Sequence, residues 1–203
     1  PSLATFPDDS TTIKVYFLYG SKPLKEFISE ERPWFGGKLG GHAGIGFDSS
    51  EIYNFLPNGK LHIFAQKSRK HALWVISDFE GFMEILGGEA DSNKYTIIEI
   101  PVSRVERIAI DSLHRSYRDS CPYDYAFFGM RCGAATYDVL AQTDVLPRFG
   151  RRLMVARFFY PKRIRKKLLR KASRKGWKVT RHQGTSRRKW ERDRFWFSQA
   201  KSF

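Results

Sequence analysis

Two residues able to do covalent chemistry stand in glycine-rich settings. His42 lies in Gly40-Gly41-His42-Ala43-Gly44-Ile45-Gly46-Phe47, and Cys132 in Gly129-Met130-Arg131-Cys132-Gly133-Ala134-Ala135-Thr136. The first segment reads as a strand and the second as the start of a helix. Unsatisfied N–H groups and the macrodipole at a helix N-terminus favour negative charge, so a thiol there is favoured as thiolate, its nucleophilic form. A free thiol, with a pKa of about 8.5, is only slightly ionised at neutral pH, which is why placement and an imidazole partner matter. A thiol with an imidazole base is the minimum equipment of a cysteine hydrolase or acyltransferase. The plainer alternative is a packing role, because Cys132, Ala135, Thr136, Val139 and Leu140 share one stripe of an amphipathic helix. The glycines around both residues favour the chemical reading, since small residues let backbone or substrate approach closely.

A base needs an orienting partner on its other ring nitrogen. Asn54, on the strand expected after His42, is the favoured candidate; Glu51 and His62 are the others. The N–H groups of Cys132 and Gly133 could face the oxyanion of an acyl intermediate. Arg131 reads as a side chain pointing to solvent, and His71, His114 and His182 as surface histidines. No CxxC, HExxH, carboxylate cluster at ligand spacing, P-loop or GxGxxG occurs, so neither a metal nor a cofactor is expected.

The elements that must position this pair follow from patterning. Residues 1–11 are polar, and Ile13 to Tyr19 read as a buried strand. A long loop over 21–41 delivers the chain to a strand at His42–Phe47, and Asp48-Ser49-Ser50 turns it into a strand at Glu51–Phe55. Pro57-Asn58-Gly59 leads to a further strand at Leu61–Phe64. A short helix over 78–86 precedes a strand at Tyr95–Val102, and the Ser103–Glu106 capping box opens a helix to about residue 118. The Cys132 helix extends to about Ala141. Pro161 opens a helix that Gly176 can stop, and Trp177–Arg181 suits a last strand.

The order predicts an α+β fold, an antiparallel sheet packed against helices, with residues 1–147 as the catalytic domain and 148–203 as a basic C-terminal region packed on it. The 203 residues, 41% hydrophobic and 15% aromatic, suffice for one substantial core. The net charge of +15 is unevenly spread: residues 148–194 carry 20 Lys and Arg against Glu191 and Asp193, while residues 1–147 carry 15 bases and 19 acids. Such asymmetry suggests an anionic partner, nucleic acid or an acidic membrane surface, for the basic quarter. Its aromatics, Trp177, Trp190, Phe195, Trp196 and Phe197, would supply stacking faces. An anionic-polymer-binding protein on an inactive scaffold is therefore the competing function. With two cysteines, Cys121 and Cys132, no disulfide framework is implied. No apolar run of about eighteen residues occurs. Pro1 fits either a removed signal peptide or a trimmed chain, and assigns no compartment.

Taken together, Gly41–Phe47, Glu51–Gly59 and Tyr123-Asp124-Tyr125-Ala126-Phe127-Phe128-Gly129-Met130-Arg131-Cys132 resemble the circularly permuted papain-like, NlpC-type superfamily of cysteine peptidases, amidases and acyltransferases. The His-bearing strand comes first and the Cys-bearing helix later. The resemblance covers roughly residues 12–145. It implies a permuted papain-like core, Cys132 as nucleophile, His42 as base and Asn54 as the orienting residue, acting on a peptide, other amide or lipid ester. Arg131 departs from the asparagine that many permuted members place before the cysteine. Tyr125 reads as a core tyrosine, with a site-lining aromatic as the alternative.

Overall fold

The computed structural model describes residues 10–29, 41–68, 71–88 and 90–193. Strand β1 (Ser10–Leu18) continues through Tyr19 and Gly20 into a short β2 (Ser21–Pro23). β3 (His42–Gly46), β4 (Ile52–Pro57) and β5 (Ala72–Ser77) form a meander. Helix α1 (Phe79–Glu84), capped by the Asp78 carboxylate on the Gly81 N–H, leads to β6 (Tyr95–Ser103) and α2 (Arg104–Asp119). The Ser103–Glu106 capping box is present in both directions. Then come α3 (Cys132–Gln142), α4 (Arg151–Phe158), α5 (Pro161–Lys175), β7 (Val179–His182) and β8 (Arg188–Trp190).

Six strands make one antiparallel sheet in the order β5-β4-β3-β1-β6-β7, and β2 pairs with β8 in a second, small sheet. This is a mixed α+β fold with helices packed against an antiparallel sheet. Alternation along each strand divides the burial between two faces. Val15, Phe17, Ala43, Ile45, Tyr53 and Phe55 face the main core, which includes residues of α2, α3 and α5. Tyr16, Leu18 and Ile52 face a smaller core built with Phe82, Met83 and Leu86. The basic helix α5 contributes Ile164, Leu168, Leu169 and Ala172 to the main core, so it is built into the body.

Several expectations are corrected. Leu61–Phe64 is no strand: only His62 forms an isolated bridge, to Ala126. The reason is that β5, which the sequence reading missed, occupies the free edge of β4 along its whole length, Ile52 opposite Ser77 through Pro57 opposite Ala72. Ile63 and Phe64 are left 61% and 69% exposed. Helix α4 was also unexpected. The surface reading of His114 fails, since it is fully buried on α2. Residues 1–9 and 30–40 of the two expected loops, and Phe195, Trp196 and Phe197, lie outside the described residues.

Candidate active site

The β3–β4 turn sets the geometry of the site. Asp48 accepts hydrogen bonds from the Ser50 N–H (2.8 Å), the Ser50 hydroxyl (2.7 Å) and the Glu51 N–H (3.2 Å), fixing a register in which Asn54 stands opposite Gly44. His42 and Gly44 share a face of β3, so Asn54 and His42 come within reach of one another. Gly44 is required by close approach: a Cβ there would lie 2.8 Å from Phe82 Cε2 and 2.9 Å from the Tyr53 carbonyl oxygen. That clearance admits the Phe82 ring beside the His42 imidazole, their centroids 5.4 Å apart.

His42 Nε2 and Asn54 Oδ1 are 3.1 Å apart. The Asn54 amide nitrogen donates to the Ile52 carbonyl (3.3 Å) and the Ser77 hydroxyl (3.2 Å), which turns Oδ1 toward the histidine. An amide oxygen only accepts, so Nε2 carries the hydrogen. Nδ1 is thereby the ring nitrogen left free to take a proton from the thiol. His42 and Asn54 are both buried.

Helix α3 brings the thiol. Cys132 is its first residue, and the preceding Arg131 is extended (φ −135°, ψ 169°) with no side-chain cap on the first turn. The thiol is 2% exposed. Burial pushes its pKa up, but the His42 charge and hydrogen bond, the Arg131 charge and a hydrogen bond with the Ala43 backbone together hold it below its ordinary value. Cys121 and Cys132 are not joined in a disulfide.

The structure thus brings Cys132, His42 and Asn54 together. The other two candidates lie elsewhere: Glu51 is exposed in the β3–β4 turn, and His62 packs against His71 with tilted rings 3.7 Å apart, Gln66 bridging the pair. Arg131 does not point to solvent. It is 6% exposed, its guanidinium packed 4.6 Å from the Phe159 ring centroid and 5.8 Å from those of Phe127 and Tyr160. Tyr125 is buried in the main core and lies near enough to Cys132 and Arg131 for their charges to act on its hydroxyl, so its packing and site-lining readings are compatible. Two site residues were therefore undervalued. Their adjacency to the cysteine, one position and seven positions before it, was the only available signal.

Beside the cysteine helix is a cavity of about 720 Å³, walled by Phe127, Met130, Val155, Phe159 and Tyr160. Its size falls within the roughly 300–1,000 Å³ of small-molecule sites. Among the described residues, no group of three or more His, Cys, Asp or Glu could hold a metal ion. Among them, too, no helix is long and apolar enough to cross a membrane. No protein-family model matches the chain, and no curated protein or solved structure matches it.

Proposed function

We propose that the protein is a thiol-dependent hydrolase or acyltransferase acting on an amide or ester bond, on a permuted papain-like core. The observation that carries this reading is the buried His42–Asn54 hydrogen bond beside a helix-N-terminal thiol whose pKa is held down. A packing cysteine has no need of an oriented imidazole. The polarity of the Asn54 amide leaves His42 Nδ1 for the thiol, as general-base chemistry requires.

In this reading His42 takes the Cys132 proton and the thiolate attacks the substrate carbonyl carbon. The oxyanion that forms is met by free N–H groups of the first turn of α3, in a site where the Arg131 charge adds to the field. Collapse breaks the C–N or C–O bond, and His42 returns its proton to the leaving amine or alcohol. A water molecule then gives a proton to His42 as it attacks the thioester, the acid departs and the thiolate is restored. An alcohol or amine in place of that water makes the same cycle an acyl transfer.

The test is the pH dependence of iodoacetamide alkylation at each cysteine, resolved by mass spectrometry and paired with ultraviolet thiolate absorbance, in wild type and His42→Ala. Cys132 should ionise well below a free thiol, and His42→Ala should move its midpoint up. A Cys132 midpoint at or above that of an ordinary thiol, unmoved by His42→Ala, overturns the proposal.

A further inference from the structure

The chemistry of the thiol uses neither the cavity beside α3 nor the basic C-terminal quarter. The two meet on one face. The cavity reaches the surface at Phe128, which is 62% exposed and stacks on Phe64, itself 69% exposed, with centroids 5.8 Å apart. Ile63, 61% exposed, accepts a hydrogen bond from the Phe128 N–H through its carbonyl (2.8 Å), so the three apolar side chains belong to one projecting unit. Exposing such side chains together is unfavourable in water and marks an interaction surface.

Arg151, Arg152 and Arg163 line the same cavity. All three side chains are exposed, and among the described residues none is in an ion pair with Asp or Glu. Asp124 is the one acid among the lining residues. Its Oδ2 accepts from the Gln66 N–H (2.6 Å), while its buried Oδ1 has no hydrogen-bond partner among the described residues. That oxygen is closed off from solvent, so the charge facing the cavity is that of the arginines. Apolar walls and a collar of cations suit an amphiphile with an acyl chain and an anionic head.

We propose that this face docks on an anionic phospholipid bilayer. Ile63, Phe64 and Phe128 enter the headgroup region, the three arginines meet lipid phosphates, and the cavity opens onto lipid. Apolar insertion combined with cationic contact is the way monotopic proteins hold an anionic leaflet. Duplex nucleic acid would use the arginines but has no use for three projecting apolar side chains at a cavity mouth, so charge and shape together favour the bilayer. The inference is independent of the thiol's role, because docking is read without turnover.

Sedimentation of the full chain with vesicles of phosphatidylcholine, alone or mixed with phosphatidylglycerol, tests it. The wild type should bind the mixed vesicles far more tightly than the neutral ones. The pair Arg152→Gln and Arg163→Gln should weaken that binding about 25-fold, at about fivefold per arginine. Phe64→Ser with Phe128→Ser should weaken binding to both vesicles. All four positions are exposed, and near-ultraviolet circular dichroism verifies that each variant is folded. Absence of a preference for phosphatidylglycerol overturns the proposal. So does mixed-vesicle binding that both variants leave intact, or capture of duplex DNA by a protein that leaves vesicles unbound.

Discussion

His114 makes the fold sensitive to acid in a way that can be calculated. Its ring stacks on Tyr53 (4.1 Å, interplanar angle 2°), lies 5.5 Å from Trp74 and meets Phe47 edge-on at 6.5 Å. Neither ring nitrogen has a hydrogen-bond partner among the described residues. Burial alone pushes its pKa down, to about 3. In the unfolded chain the imidazole titrates near 6.5. Above that pH both states are neutral, and the group has no effect on pH dependence. Below it the unfolded state gains a proton that the folded state refuses until about pH 3, so stability falls across the window between the two values. The loss is about 1.4 kcal/mol per pH unit, or about 2 kcal/mol at pH 5. Urea unfolding at about pH 7.5 and pH 5 measures it. With a slope near 3 kcal/mol per molar, the His114 share of the midpoint decrease is about 0.7 M. His114→Leu removes the titrating group, so its midpoint should fall by about that much less between the two conditions, whatever its stability at neutral pH. Parallel decreases in wild type and variant would refute the reasoning, and would mean that His114 has access to a proton in the folded state. The result also sets the lower pH limit at which Cys132 ionisation can be read on folded protein.

Three other outcomes follow from the site and its supports. Asn54→Ala strips His42 Nε2 of its 3.1 Å partner, and the loss of a buried hydrogen bond, about 1–3 kcal/mol, should slow Cys132 alkylation about 5- to 150-fold; an unchanged rate would mean that the imidazole is held by packing alone. Arg131→Gln removes a positive charge that helps hold the thiol down, so the Cys132 ionisation midpoint should rise; a midpoint that stays put would leave His42 and the Ala43 backbone as sufficient. Arg165→Met should destabilise the protein by about 3–5 kcal/mol in chemical denaturation, because the fully buried guanidinium is 3.0 Å from Asp193 and 2.9 Å from Glu191 and lies over the Tyr19 ring at 3.6 Å; a loss below about 1 kcal/mol would mean that the two acids turn to solvent freely.

The strand setting of His42 and the helix-start setting of Cys132 were legible locally, whereas Asn54 was one of three candidates until the β3–β4 register put it beside His42. The glycines flanking His42 mark a strand on which something must come close, and a ring, Phe82, does. Asp48-Ser49-Ser50 marks the turn, and a turn of that length fixes which residue of β4 meets His42. The cysteine's place at the start of α3 follows from the small residues after it and the turn residues before it. Where the reading failed, the deciding partner was distant in sequence. Leu61–Phe64 has strand composition, but the edge it would need is taken by β5. His114 looks polar on its own helix, and only the sheet brings Tyr53, Phe47 and Trp74 around it. The cavity is assembled from residues near 65, 122–130 and 151–163, so no single stretch carries its signature.

The basic quarter shows the same division of labour within two residues of one helix. Arg163 is exposed at the cavity, whereas Arg165 is wholly buried between Tyr19 and two carboxylates. A charge count cannot separate them, but helical periodicity can. Pro161, Arg165, Leu168, Leu169 and Ala172 follow i, i+4, i+7, i+8 and i+11 spacing and are all buried, so Arg165 occupies an inward position of the stripe. A guanidinium there must be paired, and the only two acids in residues 148–194 are Glu191 and Asp193, the two that meet it. The quarter's only carboxylates are thus consumed inside the fold. Arg152 and Arg163 face outward and are in no ion pair with Asp or Glu among the described residues, so the field they present at the cavity mouth is correspondingly undiluted.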